Sequence, residues 1–552
     1  MAKIPNFKFR GIQKITIPKS DADFNVADYG LSILKKYMPL VLQQHQYNRR
    51  KIDYLHNVAL GEQDINGKKR LYNKDAKNNN IISENHAFRQ TNFKVAFVTS
   101  EKRDYAHKSD SSCKDMIYLD RYFTDIDFFS KDKNIKEWIY QTGIGCSYQC
   151  HRTDIIKKDA KNGLEYYRYL TKNEGFDIET EAPFEFNDLD PRDNFVVYSS
   201  IRGNEPLFCV SLVETERENA TPSFSGFDYK IYIETRYARF IAKCSNNFNG
   251  FDNLTFEMAK AFHSMPMIEH SINNARLGIV ELNRDLFNCL NTLVSNVLDM
   301  VVDGANIIMV FKNTDIDQKT IDAMNAKGAL ILNDNPENKN NSEAKLETVT
   351  IKIDFAGLNS FYGERLTQAY DIAGVPLASG QVTSGGDTGQ ARLLGGGWNN
   401  AYTVIKNDIT TLLKGDYAVL KLALQICKDV PGCPVKDITA SQIDIKYHIN
   451  QSDNLLTKAQ AISTLYGINM PKEEILKVSG LFSDICAVSQ KWDKEDKEAK
   501  ENLAKQKNIE TDVTDKKVGD TGGDNNADTK TDGKDKNILI KEKQGNSSQE
   551  WL

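Results

Sequence analysis

No run of about eighteen apolar residues occurs in this 552-residue chain, and its mean hydropathy is −0.51, so no membrane-spanning helix is expected. The opening MAKIPNFKFRG has no apolar core of the kind a secretory signal needs, which points to a soluble cytosolic protein. Cysteines number nine, an odd count scattered from Cys113 to Cys486, and reduced thiols fit that pattern better than a disulfide framework. The one cluster, GCSYQCH with Cys146, Cys150 and His151, has neither haem-attachment spacing nor a second ligand pair close behind, so no metal is expected there. Excess positive charge is also missing. Lys+Arg 71 against Asp+Glu 76 gives a net −5, which argues against tight, sequence-specific DNA binding. No serine nucleophile elbow and no HExxH motif occur, and the eight histidines are scattered, so no catalytic residues, metal or cofactor are assigned and no enzyme is expected.

What is present is most distinctive over residues 370–428, where a loop with eight glycines between Gly374 and Gly397 leads into a long amphipathic helix. Such a loop builds no core, because glycine costs backbone entropy and offers no side chain to pack. The helix is well specified. Tyr402, Ile405, Ile409, Leu412, Leu413, Tyr417, Leu420, Leu424 and Cys427 recur at three- and four-residue steps, one apolar stripe on a rod of roughly 45 Å. A compliant segment is thereby tied to a rigid one.

At this length several domains are expected. Residues 27–57 read as a helix that Pro39 kinks or splits and Gly61 ends, and residues 85–100 as a weaker helix whose end could equally be a strand. From about residue 135 short β-rich runs follow (IGCSYQCHR, YYRYL, FEFNDLDPRDNFVVYSSI, EPLFCVSLVE, YKIYIET, YARFIAK) and predict an antiparallel sheet. Its aromatics Tyr198, Phe208, Tyr229, Tyr232, Tyr237 and Phe240 are assigned to packing rather than to base stacking. Leu282, Leu286, Leu290, Leu293, Val297 and Met300 mark the apolar face of a second long helix ending near Gly304. Residues 305–355 read as a small α/β unit: a strand ANIIMVF, a short helix closed by Gly328, a strand ALIL, a hydrophilic tip NDNPENKNNSEAK and an alternating ETVTIKID. Residues 356–372 read as helix, QIDIKYHI as a strand returning to the earlier sheet, and 453–490 as helices. From Lys491 the chain is too polar to order itself, apart from a helical continuation to about Gln506.

A glycine-rich turn before a helix can cradle phosphate, which keeps open a nucleotide-binding enzyme using loop 380–389. The details oppose it: Gly385 is followed by Gly386 and Asp387, where a phosphate loop needs GK[ST]. A generic multidomain scaffold protein is the other alternative.

Taken in order, QYNRRKIDYLHNVALGEQ, NNNIISENHAFRQTNFKVAFV, GIGCSYQC, LDPRDNFVVYSS, PMIEHSINNARLGIVELNRDLFNCLNTLVSN, AYDIAGVPLASG…GGDTGQA and TKAQAISTLYGINMPKEEIL resemble the portal, or head–tail connector, proteins of tailed bacteriophages, in the siphophage-type branch. The likeness is collinear over roughly 27–490, and Gly395–Gly397 before Trp398 depart from it by delaying the helix start. It implies an α+β portal-type fold that assembles as a ring of about twelve copies. The wing would be 1–270, the stem helices 271–303 and 356–373, and the clip 304–355. The tunnel loop would be 374–397, the long tunnel helix 398–430, the returning wing strand 431–452, the crown 453–490 and a disordered charged tail 491–552. The resemblance implies passage of double-stranded DNA without sequence specificity during packaging and ejection. It also implies docking of the terminase large subunit and a head–tail adaptor, contact with the major capsid protein and a scaffold, and residence at the virion portal vertex after assembly in the host cytoplasm. The tunnel-loop residues would be Gln381, Thr383, Ser384, Gly385, Gly386, Asp387 and Arg392, with Arg392 meeting either passing phosphates or an ion-pair partner in the ring. Asn333, Asn335, Glu337 and Lys339 on the clip tip would dock partners.

Overall fold

The computed structural model describes residues 7–69, 79–109, 113–161, 164–201, 203–216, 227–244, 251–260, 262–304, 308–312, 322, 345–349, 354–377, 398–449, 455–468, 470–479 and 488–501. The chain is a mixed α+β protein that divides into two compact units, 1–487 and 488–552. The described part of the second unit is a helix over 488–501, in line with the helical continuation expected past Lys491. The remaining tail lies outside the described residues.

In the first unit the strands β1 (Ile15–Ile17), β2 (Asp104–His107), β3 (Ile144–His151), β4 (Ile156–Lys161), β5 (Leu164–Tyr169), β6 (Phe184–Leu189), β7 (Asn194–Ser199), β8 (Pro206–Glu216), β9 (Phe227–Thr235), β10 (Ala238–Cys244), β11 (Phe251–Ala259) and β12 (Met267–Ser271) precede the second long helix. A six-stranded sheet has the order β1-β7-β8-β9-β10-β11, and a separate three-stranded sheet the order β12-β3-β6. The expected single antiparallel sheet is therefore three, since β5 pairs with β4 alone, and β1 joins the largest one parallel to β7. Register explains its apolar face: Phe195 stands opposite Val210, Val210 opposite Ile233, and Ile233 opposite Phe240. Across this face lies helix α1 (Ala27–Leu60), which contributes Ile33, Leu34, Met38, Val41 and Leu42 to the same buried cluster. Phe208, Tyr229 and Phe240 belong to that core too, so these aromatics are packing residues. Pro39 sits within α1 without dividing it, and Gly61 closes the helix at φ +114.

Two helices escaped the sequence reading, α3 (Lys114–Asp125) and α4 (Phe128–Thr142). The β-rich stretch expected from about 135 starts at Ile144, because Ile135 and Ile139 continue the buried face of α4. The second core gathers α4 with α2 (His86–Thr99), α5 (Ile279–Gly304), α6 (Phe355–Ala373) and α7 (Trp398–Asp429). Residues 267–271 are strand, not the beginning of the helix expected from 271; after a turn through Arg276 at φ +55, α5 starts at Ile279. Of the 305–355 unit, β13 (Ile308–Lys312) and β14 (Lys345–Val349) pair antiparallel. Its short helix, ALIL strand and hydrophilic tip lie outside the described residues. Strand β15 (Ile443–Lys446) pairs with β2 in a two-stranded sheet of its own, which corrects the expected return to the large sheet. Helices α8 (Leu455–Gly467) and α9 (Lys472–Ser479) follow.

Candidate functional site

The long helix α7 and the pair α5 and α6 form the frame on which the glycine-rich loop is hung. On α5 the buried residues change character along its length. Ile279, Val280, Phe287 and Leu290 face the core, but in the second half the buried positions are Asn291, Ser295 and Asp299, one helical turn apart. These three grip an extended strap. Asn291 Oδ1 accepts from Glu84 N at 2.9 Å, Ser295 Oγ accepts from Ile82 N at 2.9 Å and donates to Ile82 O at 3.2 Å, and Asp299 accepts from Asn80 N at 3.1 Å and Lys68 Nζ at 2.7 Å. An extended segment with no sheet neighbour still needs backbone partners, and the polar stripe supplies them. Burial raises the cost of charge on Asp299, yet Lys68 and Asn80 outweigh it and hold its carboxyl below the usual range. Farther up the helix, Asn283 donates to Gln90 Oε1 at 2.9 Å and to Ala369 O at 2.8 Å, joining α5 to α2 and α6.

The consequence is an inversion of the usual pattern over the second half of the helix. With its polar stripe turned inward, α5 leaves Leu282, Val301 and Val302 exposed at 40%, 42% and 37%. Helix α6 adds exposed Phe355, Phe361 and Ile372. Of the residues that mark the apolar face of this helix, Leu290 is buried, Leu286, Leu293, Val297 and Met300 are partly buried, and Leu282 is exposed.

Both ends of the loop are fixed. Helix α6 begins with Asp354 capping Gly357 N at 3.0 Å and ends at Gly374, φ +60. A Cβ at Gly374 would lie 2.8 Å from Val404, so the end of α6 abuts the second turn of α7. Trp398 at the head of α7 packs 6.0 Å from Phe93 and 6.3 Å from Phe97, and Tyr402 lies 5.4 Å from Phe97. The loop residues Gln381, Thr383, Ser384, Gly385, Gly386, Asp387 and Arg392, and the tip residues Asn333, Asn335, Glu337 and Lys339, lie outside the described residues.

Helix α7 is fastened by buried charge as well as by its apolar stripe. Asp408 Oδ2 pairs with Lys94 Nζ at 3.1 Å, and the Tyr140 hydroxyl is 3.4 Å away. Two turns on, Asp416 Oδ1 pairs with Arg103 Nη1 at 2.5 Å and with Lys136 Nζ at 3.5 Å. Asp132 completes the set, 2.8 Å from Arg103 and 2.6 Å from Lys136, and the Tyr447 hydroxyl donates to Asp416 Oδ2. These charged side chains are 1–6% exposed, so their balance of two positive against two negative is a requirement rather than an ornament. Burial opposes charge on Asp416, but Arg103 and Lys136 overcome it and hold its carboxyl far below the usual range. Beside this cluster His270 on β12 donates or accepts at Ser147 Oγ, 2.8 Å away, and burial with help from Lys136 pushes its pKa down to about 4. Gly415 makes that approach possible, since a Cβ there would fall 2.2 Å from His270 Nδ1. Sequence reasoning missed these residues, although Asp408 and Asp416 interrupt an apolar stripe and so demanded partners.

Among the described residues these helices are pinned by hydrogen bonds, buried ion pairs and aromatic packing. Compared with known families, residues 40–502 match phage portal proteins of the SPP1 Gp6-like type, more than three quarters of the chain. The chain belongs to this portal family. A comparison with curated proteins found no match. Members of the portal family are in general structural rather than enzymatic proteins. Among the described residues of the portal chain no helix is long and apolar enough to cross a membrane, and no three His, Cys, Asp or Glu side chains gather as for a metal ion. The GCSYQCH stretch is β3, where Cys146 Sγ donates to Asn194 O at 3.4 Å and His151 bonds Asp429 at 3.0 Å.

Proposed function

We propose that the chain closes with about eleven further copies into a ring at one capsid vertex, and that double-stranded DNA passes through the bore during packaging and ejection. Residues 271–303 and 356–373 are its stem, 304–355 its clip for terminase and the head–tail adaptor, 374–397 its tunnel loop, and 453–490 its crown. The surrounding wing meets the major capsid protein.

One observation carries this reading: the second half of α5 turns its polar stripe into its own subunit and leaves Val301 and Val302 outward, and α6 exposes two phenylalanines. A monomer has no use for that inversion, whereas a neighbouring copy buries it. The pinned loop ends add support, because a glycine-rich segment between two fixed helices follows a moving polymer without transmitting its displacement to the frame. Charge agrees as well. A net −5 per chain becomes about −60 for a ring of about twelve, so a polyanion slides rather than adheres.

The test is Val301→Glu combined with Phe361→Glu. Both residues are exposed, so circular dichroism should be unchanged while sedimentation shows loss of the ring. A ring of full mass in the double variant would show that this face is not the subunit contact.

A further inference from the structure

Arg276, in the turn between β12 and α5, adopts φ +55, a left-handed conformation that residues with a side chain rarely take. The turn is held from two sides. Ile12 N donates to Arg276 O at 3.1 Å, and a Cβ at Gly143 would fall 2.2 Å from that same oxygen. The Arg276 side chain runs inward: the residue is 5% exposed, Nη2 donates to Glu269 Oε2, and Nε and Nη1 are buried with no hydrogen-bond partner. His45 on α1 is a second such case. It is 1% exposed, stacks 3.8 Å from Phe195 and bonds Arg192 O through Nε2 at 2.8 Å. A carbonyl only accepts, so the proton sits on Nε2, and burial keeps the ring neutral by lowering its pKa to about 3. The buried, unpartnered Nδ1 therefore carries a lone pair. Both residues line one cavity of about 10 Å³, room for a single water molecule. Asn48, on the same wall, is already satisfied by Gln13 N at 3.2 Å and Gln13 O at 2.8 Å.

We propose that this cavity is a binding site for one water molecule, which accepts from the Arg276 guanidinium and donates to His45 Nδ1, bridging α1 to the turn that starts α5. The groups in the wall select the ligand. A halide only accepts and would meet the Nδ1 lone pair, and a metal cation would meet the guanidinium, whereas water both donates and accepts. Glu269 lines the cavity too, and its carboxylate can take the second water hydrogen. Buried donors and acceptors without partners oppose folding, and one water relieves both sides at once. The bridge adds to the direct link between the same two helices, Lys51 Nζ of α1 to Glu281 Oε1 of α5 at 2.6 Å. It holds the start of α5 against α1 whether or not the chain forms a ring.

The test is a crystal structure of the full-length protein at a resolution that shows ordered waters, with sodium bromide replacing chloride. The expected result is a density peak within hydrogen-bonding distance of both His45 Nδ1 and an Arg276 nitrogen, about 2.7–3.2 Å, with no anomalous signal from bromide. An anomalous peak there would make the ligand a halide and overturn the proposal. So would well-defined His45 and Arg276 side chains with no peak between them, or a guanidinium that donates directly to Nδ1. The second arm is His45→Phe, which keeps a ring against Phe195 and removes the acceptor. Amide exchange in residues 273–278 should then rise about tenfold, while loss of the bond to Arg192 O is read separately at residues 190–194. Unchanged exchange at 273–278 would show that no bridge ties the turn to α1.

Discussion

Replacing Asp416 by asparagine removes one negative charge from a site that holds Arg103, Lys136 and Asp132 at no more than 6% exposure. Contacts of 2.5 and 3.5 Å are lost as charge pairs, and with an effective dielectric of about 20 their Coulomb attractions are about 7 and 5 kcal/mol. Much of that is offset, because the carboxylate's own burial no longer opposes folding. Breaking a buried pair by removing one partner costs about 3–5 kcal/mol in practice, since the cations left behind stay desolvated. The introduced side-chain amide also points a donor toward either Arg103 or the Tyr447 hydroxyl, each of which is already a donor. A chain of this size does not unfold in one step, so the informative assay is amide hydrogen exchange along residues 408–424. The expected acceleration is about 10²- to 10⁴-fold at neutral pH. Adding Lys136→Met restores neutrality around the Arg103–Asp132 pair and should recover at least about 1 kcal/mol. Exchange in Asp416→Asn that rises less than tenfold would refute the claim that buried charge fastens α7.

Stability should fall as pH drops from 6.5 to 4, because the unfolded chain takes up protons that buried His270 and His45, held down to about 4 and about 3, refuse. For His270 the loss at pH 4 is about 3 kcal/mol, readable as faster amide exchange in β12 and β3 once corrected for intrinsic rates, and a flat profile would contradict its neutral burial. Gly415→Ala should cost about 1–3 kcal/mol in thermal unfolding, since its methyl group must displace the buried His270 ring. Ser295→Ala removes both bonds to Ile82 and should cost about 1–3 kcal/mol, with residues 79–85 becoming the first site of limited proteolysis.

Where local pattern sets the structure, the sequence was readable. Ile405, Leu412, Leu420, Leu424 and Cys427 are buried on α7 as their spacing implied, and α6 runs within a residue of its expected bounds to a left-handed Gly374. What could not be read was set by partners far along the chain. Asp408 and Asp416 find Lys94, Arg103 and Lys136 some three hundred residues away, so the stripe announced a need without naming who meets it. Helix α5 shows the opposite failure. Its leucines and valines suggested a core-facing side, but the extended strap at 80–84 needed hydrogen bonds, and satisfying them turned Asn291, Ser295 and Asp299 inward instead. QIDIKYHI was recognised as a strand, yet its partner β2 is a four-residue run with no strong pattern of its own, and pairing of that kind is invisible to periodicity.

In the proposed assembly, identical copies of this chain enclose a bore through which a duplex moves without being held. Electron cryomicroscopy of the purified full-length protein tests it most directly. Closed rings of about twelve subunits are expected, with α5 and α6 of each copy against those of the next and an opening that admits a DNA duplex. A stable monomer at high concentration, or rings whose bore is too narrow for a duplex in every class, would contradict it.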